Sequence, residues 1–184
     1  MKKIAIITAT RAEYGLLRPL IELVHSDQEL ELQLLVTGAH LSPNHGNTWQ
    51  QIEADGFSIT KKFEMLLASD SSVAISKAMG LAQISFAEAF EELKPDVAVI
   101  LGDRYEMLAV ASSALMFNLP VAHIHGGELT YGAIDDAIRH AITKMSNLHF
   151  TSTEEYRQRV IQMGEQPETV FNTGAIGLDS IKNL

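Results

Sequence analysis

The chain has 184 residues, 46% of them hydrophobic and 20% charged, with a formal net charge of −9 and no cysteine. That length and composition suit one packed domain and exclude extended disorder, a broad nucleic-acid or anionic-membrane surface, disulfides, thiol nucleophiles and thiolate metal sites. The N-terminal run MKKIAIITAT is too short for a signal-peptide core, and no apolar stretch reaches membrane-spanning length, so a soluble, cytoplasmic protein is expected.

Ile4–Ile7 is a short apolar run of buried-strand type, closed by the polar stretch 8–15. Leu16, Leu17, Leu20, Ile21, Leu23 and Val24 follow at helical spacing, with Pro19 expected in the first turns, where a missing N–H costs little. Leu32–Val36 reads as a second strand and residues 38–47 as a loop. Thr48 is placed to cap a short helix through Ala54, and Ser58–Phe63 reads as a weaker strand. Serines 69, 71 and 72 with Asp70 open a long helix to about Leu93, broken by Lys94-Pro95-Asp96. A strand at Val97–Leu101, an almost wholly apolar helix at Glu106–Phe117 and a strand at Pro120–Ile124 come next. Then follow an amphipathic helix at Ile134–Met145, a strand at His149–Thr151, a helix from Thr153 to Met163, a strand at Val170–Asn172 and a helix from Gly174 to Leu184. Repeated β-α alternation predicts an α/β fold: a Rossmann-like, doubly wound, mostly parallel sheet of about seven strands, since parallel strands need crossover helices. The last helix carries no stop signal, so the chain reads as the front part of something larger.

Residues 97–151 concentrate the chemistry. Two apolar runs end abruptly, one in Gly102-Asp103-Arg104 and the other in His123-Ile124-His125-Gly126-Gly127-Glu128. Buried parallel strands deliver functional groups at their C-terminal ends, so Asp103 reads as functional, with helix capping or an ion pair to Arg104 as the plainer alternative. His123 and His125, two apart on a strand, would share one face, and Gly126-Gly127 allows a tight turn before Glu128. With Asp135, Asp136 and His140 near in sequence, a metal-dependent hydrolase is conceivable, but no ligand spacing supports it and a metal-free role is preferred. Asp135 with Arg139, and Asp136 with His140, stand four apart on one helix. They form surface pairs worth about 0.3–0.5 kcal/mol each, or else Asp135 and Arg139 point at the strand ends and join Asp103 for proton transfer and anion handling. Thr8–Gly15, between a strand and a helix, is a standard place for phosphate, with Arg11 adding charge or simply pairing with Glu13; no nucleotide fingerprint is present. Thr151-Ser152 and Gly174 are small groups at strand ends, equally suited to caps and turns.

The segments TATRAEYG (8–15), LGDRYEM (101–107), HIHGGE (123–128), GAIDDAIRHAITK (132–144) and TGAIGLD (173–179) together resemble the hydrolysing UDP-N-acetylglucosamine 2-epimerases of sialic and related nonulosonic acid biosynthesis. The resemblance spans nearly the whole chain. It implies the N-terminal domain, residues 1–184, of a two-domain glycosyltransferase-B-type enzyme with its active site between domains. The C-terminal domain, with most uridine diphosphate contacts, would be absent and the fragment inactive alone. It implies UDP elimination across C1–C2 to a glycal, then hydration to the 2-epimeric sugar. For UDP-N-acetylglucosamine the products are N-acetylmannosamine and UDP; UDP-N,N'-diacetylbacillosamine is the alternative substrate. A non-catalytic sugar-nucleotide module is the other alternative. No cofactor is implied, and a homodimer is. Asp103, His125, Glu128, Asp135 and Arg139 fall at catalytic positions, and Arg11, Arg104, Asp136 and His123 at substrate-binding ones. His125 departs from the pattern, because some relatives carry a functional Glu there.

Overall fold

The computed structural model describes residues 1–178. Seven parallel strands, β1 (Lys2–Thr8), β2 (Leu30–Thr37), β3 (Lys61–Phe63), β4 (Val97–Leu101), β5 (Val121–Ile124), β6 (Leu148–Thr151) and β7 (Val170–Asn172), form one sheet in the order β3-β2-β1-β4-β5-β6-β7. Six helices connect them: α1 (Arg11–Ser26), α2 (Trp49–Ala54), α3 (Ser72–Leu93), α4 (Tyr105–Met116), α5 (Ile134–Met145) and α6 (Glu154–Gln162). This is the expected Rossmann-like, doubly wound arrangement.

The central strands β1 (from Ile4 to Ile7) and β4 are apolar in succession because both faces of the sheet are covered there. On β1, Ala5 and Ile7 join the core under α3, α4 and α5, while Ile6 joins the core under α1 and α2. On β4, Ala98 and Ile100 face the first layer, and Val99 and Leu101 the second. The two-residue period of a strand thus sorts one apolar run into two cores. Strand order reverses between β1 and β4. Beyond the C-terminal ends of those strands lies the switch point where doubly wound sheets place ligands.

Several sequence expectations are corrected. Helix α1 begins at Arg11, not near Leu16, so Pro19 lies in its interior rather than its first turns. Its missing N–H leaves the carbonyl of Gly15 unpaired, but Gly15 is exposed and water can meet that group. Burial of Leu17, Ile21 and Val24 outweighs the local penalty. The strand expected over 58–63 shrinks to Lys61–Phe63, because the Thr60 hydroxyl takes the Leu34 N–H at 3.0 Å in place of a backbone carbonyl. The final helix starts as a single 3-10 turn at Ile176–Leu178, and its expected continuation to Leu184 lies outside the described residues. The loop over 38–47 folds into two short 3-10 turns, and Thr48 precedes α2 without capping it. Its hydroxyl sits 2.7 Å from Nδ1 of the buried His40, whose Nε2 is 3.0 Å from the Thr8 hydroxyl. Burial pushes the His40 imidazole down to about 4.

Candidate active site

The first edge of the site is the β1–α1 junction. Thr10 and Glu13 form a reciprocal capping box: the Thr10 hydroxyl accepts from the Glu13 N–H at 3.3 Å, and Glu13 Oε2 accepts from Thr10 N at 3.1 Å and Ala9 N at 2.8 Å. The backbone donors expected to hold phosphate at this junction are therefore largely consumed within the protein. Arg11 does not pair with Glu13. It is exposed, with no hydrogen bond or ion pair among the described residues. Glu13 is buried, which pushes its carboxyl up to about 7, against the pull of the Ala9 N–H and of Arg104.

The second edge follows β4. Gly102 takes φ +79, a turn that glycine adopts freely, and Asp103 comes next. Asp103 Oδ2 is paired with the Arg139 guanidinium on α5. Arg104 does not hold Asp103, as the alternative reading had it. Its guanidinium grips the fully buried Glu106 through Nη2 at 2.8 Å and Nε at 3.2 Å, and lies 3.9 Å from Glu13 Oε1. Arg139 is 6% exposed and also donates to the Thr130 hydroxyl at 3.2 Å. Its Nε and Nη1 are buried without a partner among the described residues. A guanidinium kept inside with two donors unspent is poised for a polar ligand.

The third edge follows β5, and here the two histidines part company. The strand ends at Ile124, and His125 takes φ +65, so the alternation that would put both rings on one face stops between them. His123 is fully buried, with Nε2 2.7 Å from the Gly102 carbonyl and Nδ1 3.3 Å from the Thr143 hydroxyl. Burial pushes it down to about 3, so it is neutral. With both nitrogens engaged by the fold it serves as a brace between β4, β5 and α5, not as a group presented to a cation. Among the described residues no three His, Asp or Glu side chains are grouped to hold a metal ion. His125 is set differently. Its Nδ1 is 3.6 Å from Glu128 Oε1, and its Nε2 is buried without a partner among the described residues. Burial lowers its basicity and Arg139 adds to that, while Glu128 and Asp103 oppose. Glu128 Oε1 accepts from the Ser152 hydroxyl at 2.7 Å, which ties this turn to the end of β6. The glycine pair is needed for close approach. A Cβ at Gly127 would lie 2.5 Å from the Tyr156 carbonyl oxygen, and one at Gly126 3.1 Å from His123 Nδ1.

Helix α5 completes the group. Asp136 Oδ1 accepts from the Thr130 N–H at 3.1 Å, and its Oδ2 is 4.0 Å from His140 Nε2. Asp136 thereby pins the loop that brings Thr130 to Arg139. Asp135 stands one turn before Arg139 on the same helix face and makes no hydrogen bond or ion pair among the described residues. The fold thus brings Asp103, His125, Glu128 and Arg139 into one cluster. Arg104 belongs to a neighbouring cluster with Glu13 and Glu106, and Arg11 stands apart at the surface. Sequence reasoning named Glu13 only as a partner for Arg11 and passed over Glu106, Thr130 and Thr143. Only Glu13 carried a local signal, the Thr-x-x-Glu spacing of a capping box. A cleft of about 820 Å³ opens beside the Arg104–Glu106 pair, lined also by Ser42, His45, Met65, Asp70 and Tyr105; Asp103, His125, Glu128 and Arg139 are not among its lining residues.

Comparison with known proteins identifies the family and the fold. The profile of the UDP-N-acetylglucosamine 2-epimerase family matches residues 22–184. The chain is 54% identical over its full length to a GDP/UDP-N,N'-diacetylbacillosamine 2-epimerase (hydrolyzing) of Campylobacter jejuni, and spans 47% of that protein. It is 46% identical over 98% of its length to a UDP-N,N'-diacetylbacillosamine 2-epimerase (hydrolyzing) of Legionella pneumophila, spanning 48% of it. A UDP-N-acetylglucosamine 2-epimerase of Neisseria meningitidis is 35% identical over 97% of the chain and spanned to 46%. The chain therefore spans about half the length of the curated relatives it matches. Among solved structures, UDP-GlcNAc 2-epimerase from Neisseria meningitidis bound to UDP-GlcNAc superposes with a TM-score of 0.86 at 20% identity, over 99% of this chain and 48% of that one. That likeness carries the fold, a Rossmann-like layer of the glycosyltransferase-B type. By profile and by identity to its relatives, the chain belongs to the UDP-N-acetylglucosamine 2-epimerase family.

Proposed function

We propose that residues 1–184 form the N-terminal, sugar-facing domain of a two-domain hydrolysing UDP-sugar 2-epimerase. The reaction is elimination of UDP across C1–C2 of the sugar, then hydration of the glycal to the 2-epimeric free sugar. The observation that carries this reading is the single cluster of Asp103, Arg139, His125 and Glu128 beyond the ends of β4 and β5. It supplies what the elimination needs: carboxylates, a neutral imidazole and a buried guanidinium with unspent donors. Asp135 adds an unpaired carboxylate one turn from Arg139. Arg11, exposed beside the N-terminus of α1, supplies a free cation for the diphosphate. The first-choice substrate is UDP-N,N'-diacetylbacillosamine, on the strength of the names of the relatives at 54% and 46% identity. UDP-N-acetylglucosamine is the second reading, favoured by the Neisseria meningitidis relative at 35%. Either product would feed nonulosonic acid synthesis in the cytoplasm.

The second domain closes the cleft and holds the uridine diphosphate, so the fragment alone is inactive. The enzyme works as a homodimer through α3 and α4, where Leu81, Ile84, Leu115 and Met116 remain exposed. The experiment is incubation of the full-length protein and of residues 1–184 with each nucleotide sugar, following UDP release. Turnover by the full-length protein alone is the expected result. Robust turnover by the fragment refutes the two-domain reading. Full-length Asp103→Asn with undiminished turnover favours a non-catalytic module.

A further inference from the structure

The cluster contains one group whose backbone geometry is costly and one of whose ring nitrogens is buried and unspent. His125 holds φ +65, a conformation that β-carbon-bearing residues pay about 1–3 kcal/mol to occupy and that accumulates at functional sites. Its backbone is fixed there by a 2.8 Å bond from its N–H to the Phe150 carbonyl. The ring is 17% exposed, yet Nε2 is buried and meets no partner among the described residues. The other nitrogen faces Glu128, whose carboxylate is steadied by the Ser152 hydroxyl. This is the order of parts found where an imidazole transfers protons: free nitrogen, ring, carboxylate, and a donor that orients the carboxylate.

Resting on the epimerase reading above, we propose that His125 Nε2 is the atom that takes the sugar C2 proton, and that Glu128 and Ser152 are positioning residues that keep the proton of the neutral ring on Nδ1. The C2–H bond breaks and its electron pair becomes the C1–C2 double bond. The bond from C1 to the diphosphate oxygen breaks, and its electrons leave with UDP. The proton rests on Nε2, and the imidazolium so formed faces the Glu128 carboxylate. At 3.6 Å Nδ1 and Glu128 Oε1 stand at ion-pair separation, a few tenths of an ångström beyond a hydrogen bond. Of the other carboxylates, Asp103 has Oδ2 committed to Arg139, and Asp135 stands on α5 outside the His125–Glu128 turn. The charged groups around the ring are Glu128 on its own turn, Arg139 from α5 and Asp103 after β4. Burial keeps the ring neutral near pH 7, as a base must be.

The test uses the full-length enzyme and its best nucleotide-sugar substrate. Glu128→Gln is expected to lower kcat about 10–100-fold with KM within about threefold, because the lost group acts on proton transfer rather than binding. It is also expected to move the acid limb of the kcat/KM profile to lower pH, because the carboxylate that raised the basicity of His125 is gone. Ser152→Ala is expected to act in the same direction to a smaller extent, with Ser152→Thr restoring the rate. His125→Gln is expected to abolish both UDP release and solvent deuterium incorporation at C2. If Glu128→Gln keeps the wild-type kcat and an unmoved limb, or His125→Gln keeps the wild-type rate, the assignment is overturned while the epimerase reading stands. If the wild-type protein releases no UDP from either nucleotide sugar, both fall. Nitrogen-15 spectra of the wild-type protein check the tautomer without any substitution. A proton on Nδ1 supports the proposal, and one on Nε2 overturns it.

Discussion

The Asp103–Arg139 pair is the joint on which the site hangs, and its removal has a calculable cost. Replacing Asp103 with Ala leaves the Arg139 guanidinium inside the protein with one side-chain partner, the Thr130 hydroxyl at 3.2 Å. Breaking a buried pair from one side costs about 3–5 kcal/mol, since the surviving charge stays desolvated. The Asp103 side chain is 23% exposed, so water enters the vacated space and the expected loss falls to about 2–4 kcal/mol. Asp103→Asn keeps an acceptor in place and should lose only about 1–2 kcal/mol. Arg139→Met in the Asp103→Ala background removes the stranded charge, so the double variant should be more stable than the sum of the single losses by about 1–3 kcal/mol. Urea denaturation of the 184-residue chain followed by far-ultraviolet circular dichroism measures the wild type, both Asp103 variants, Arg139→Met and the double variant, and in a thermal scan the Asp103→Ala melting temperature should fall by roughly 5–15 °C. A loss below about 0.5 kcal/mol for Asp103→Ala, or strict additivity in the cycle, would refute the claim that a buried charge pair holds α5 to the end of β4.

Two further outcomes follow from other parts of the site. Burial raises Glu13 from 4.5 to about 7, so between those values the folded state holds a proton that the unfolded state has released. Its contribution therefore favours folding at low pH and fades as pH rises from about 4.5 to 7, by an amount on the order of 1–3 kcal/mol. Glu13→Gln should remove that component, visible as the difference between wild-type and variant stability across the window; an identical pH dependence in both would contradict it. Gly127→Ala places a Cβ 2.5 Å from the Tyr156 carbonyl at φ +79, so strain and overlap together should cost about 2–4 kcal/mol, whereas Gly132→Ala, with open space at φ +81, should cost about 1. Chemical denaturation of both variants checks the contrast, and equal losses would show that the close approach to α6 is not what the glycine is for.

Much of the frame was legible because burial on both sides of a parallel sheet writes itself into the chain. The run at Val97–Leu101 is continuously apolar and that at Val121–Ile124 is broken only by His123 for that reason, and α5 was bounded at Ile134–Met145 by its amphipathic period. The start of α1 was misplaced because the apolar period begins at Leu16, while the turn before it is marked by capping chemistry at Thr10 and Glu13. Residue types at strand ends singled out Asp103, His125 and Glu128, which the fold brings into one cluster, and the motif resemblance implied roles for them.

Pairing was another matter. Arg104 is adjacent to Asp103 in sequence, yet the left-handed turn at Gly102 and the start of α4 carry it to Glu106 and Glu13. The partner of Asp103 is Arg139, 36 positions on, delivered by a helix that packs over β5. His123 and His125 look equivalent in sequence, but one ring is locked by Gly102 and Thr143 and the other leaves a nitrogen unspent, a difference set by one backbone angle. Strand period, burial and helix faces are local properties that a sequence carries along its length. Which charges meet, and which donors are left over, depends on how the crossovers stack separate segments at one edge of the sheet, and only the tertiary structure decides it.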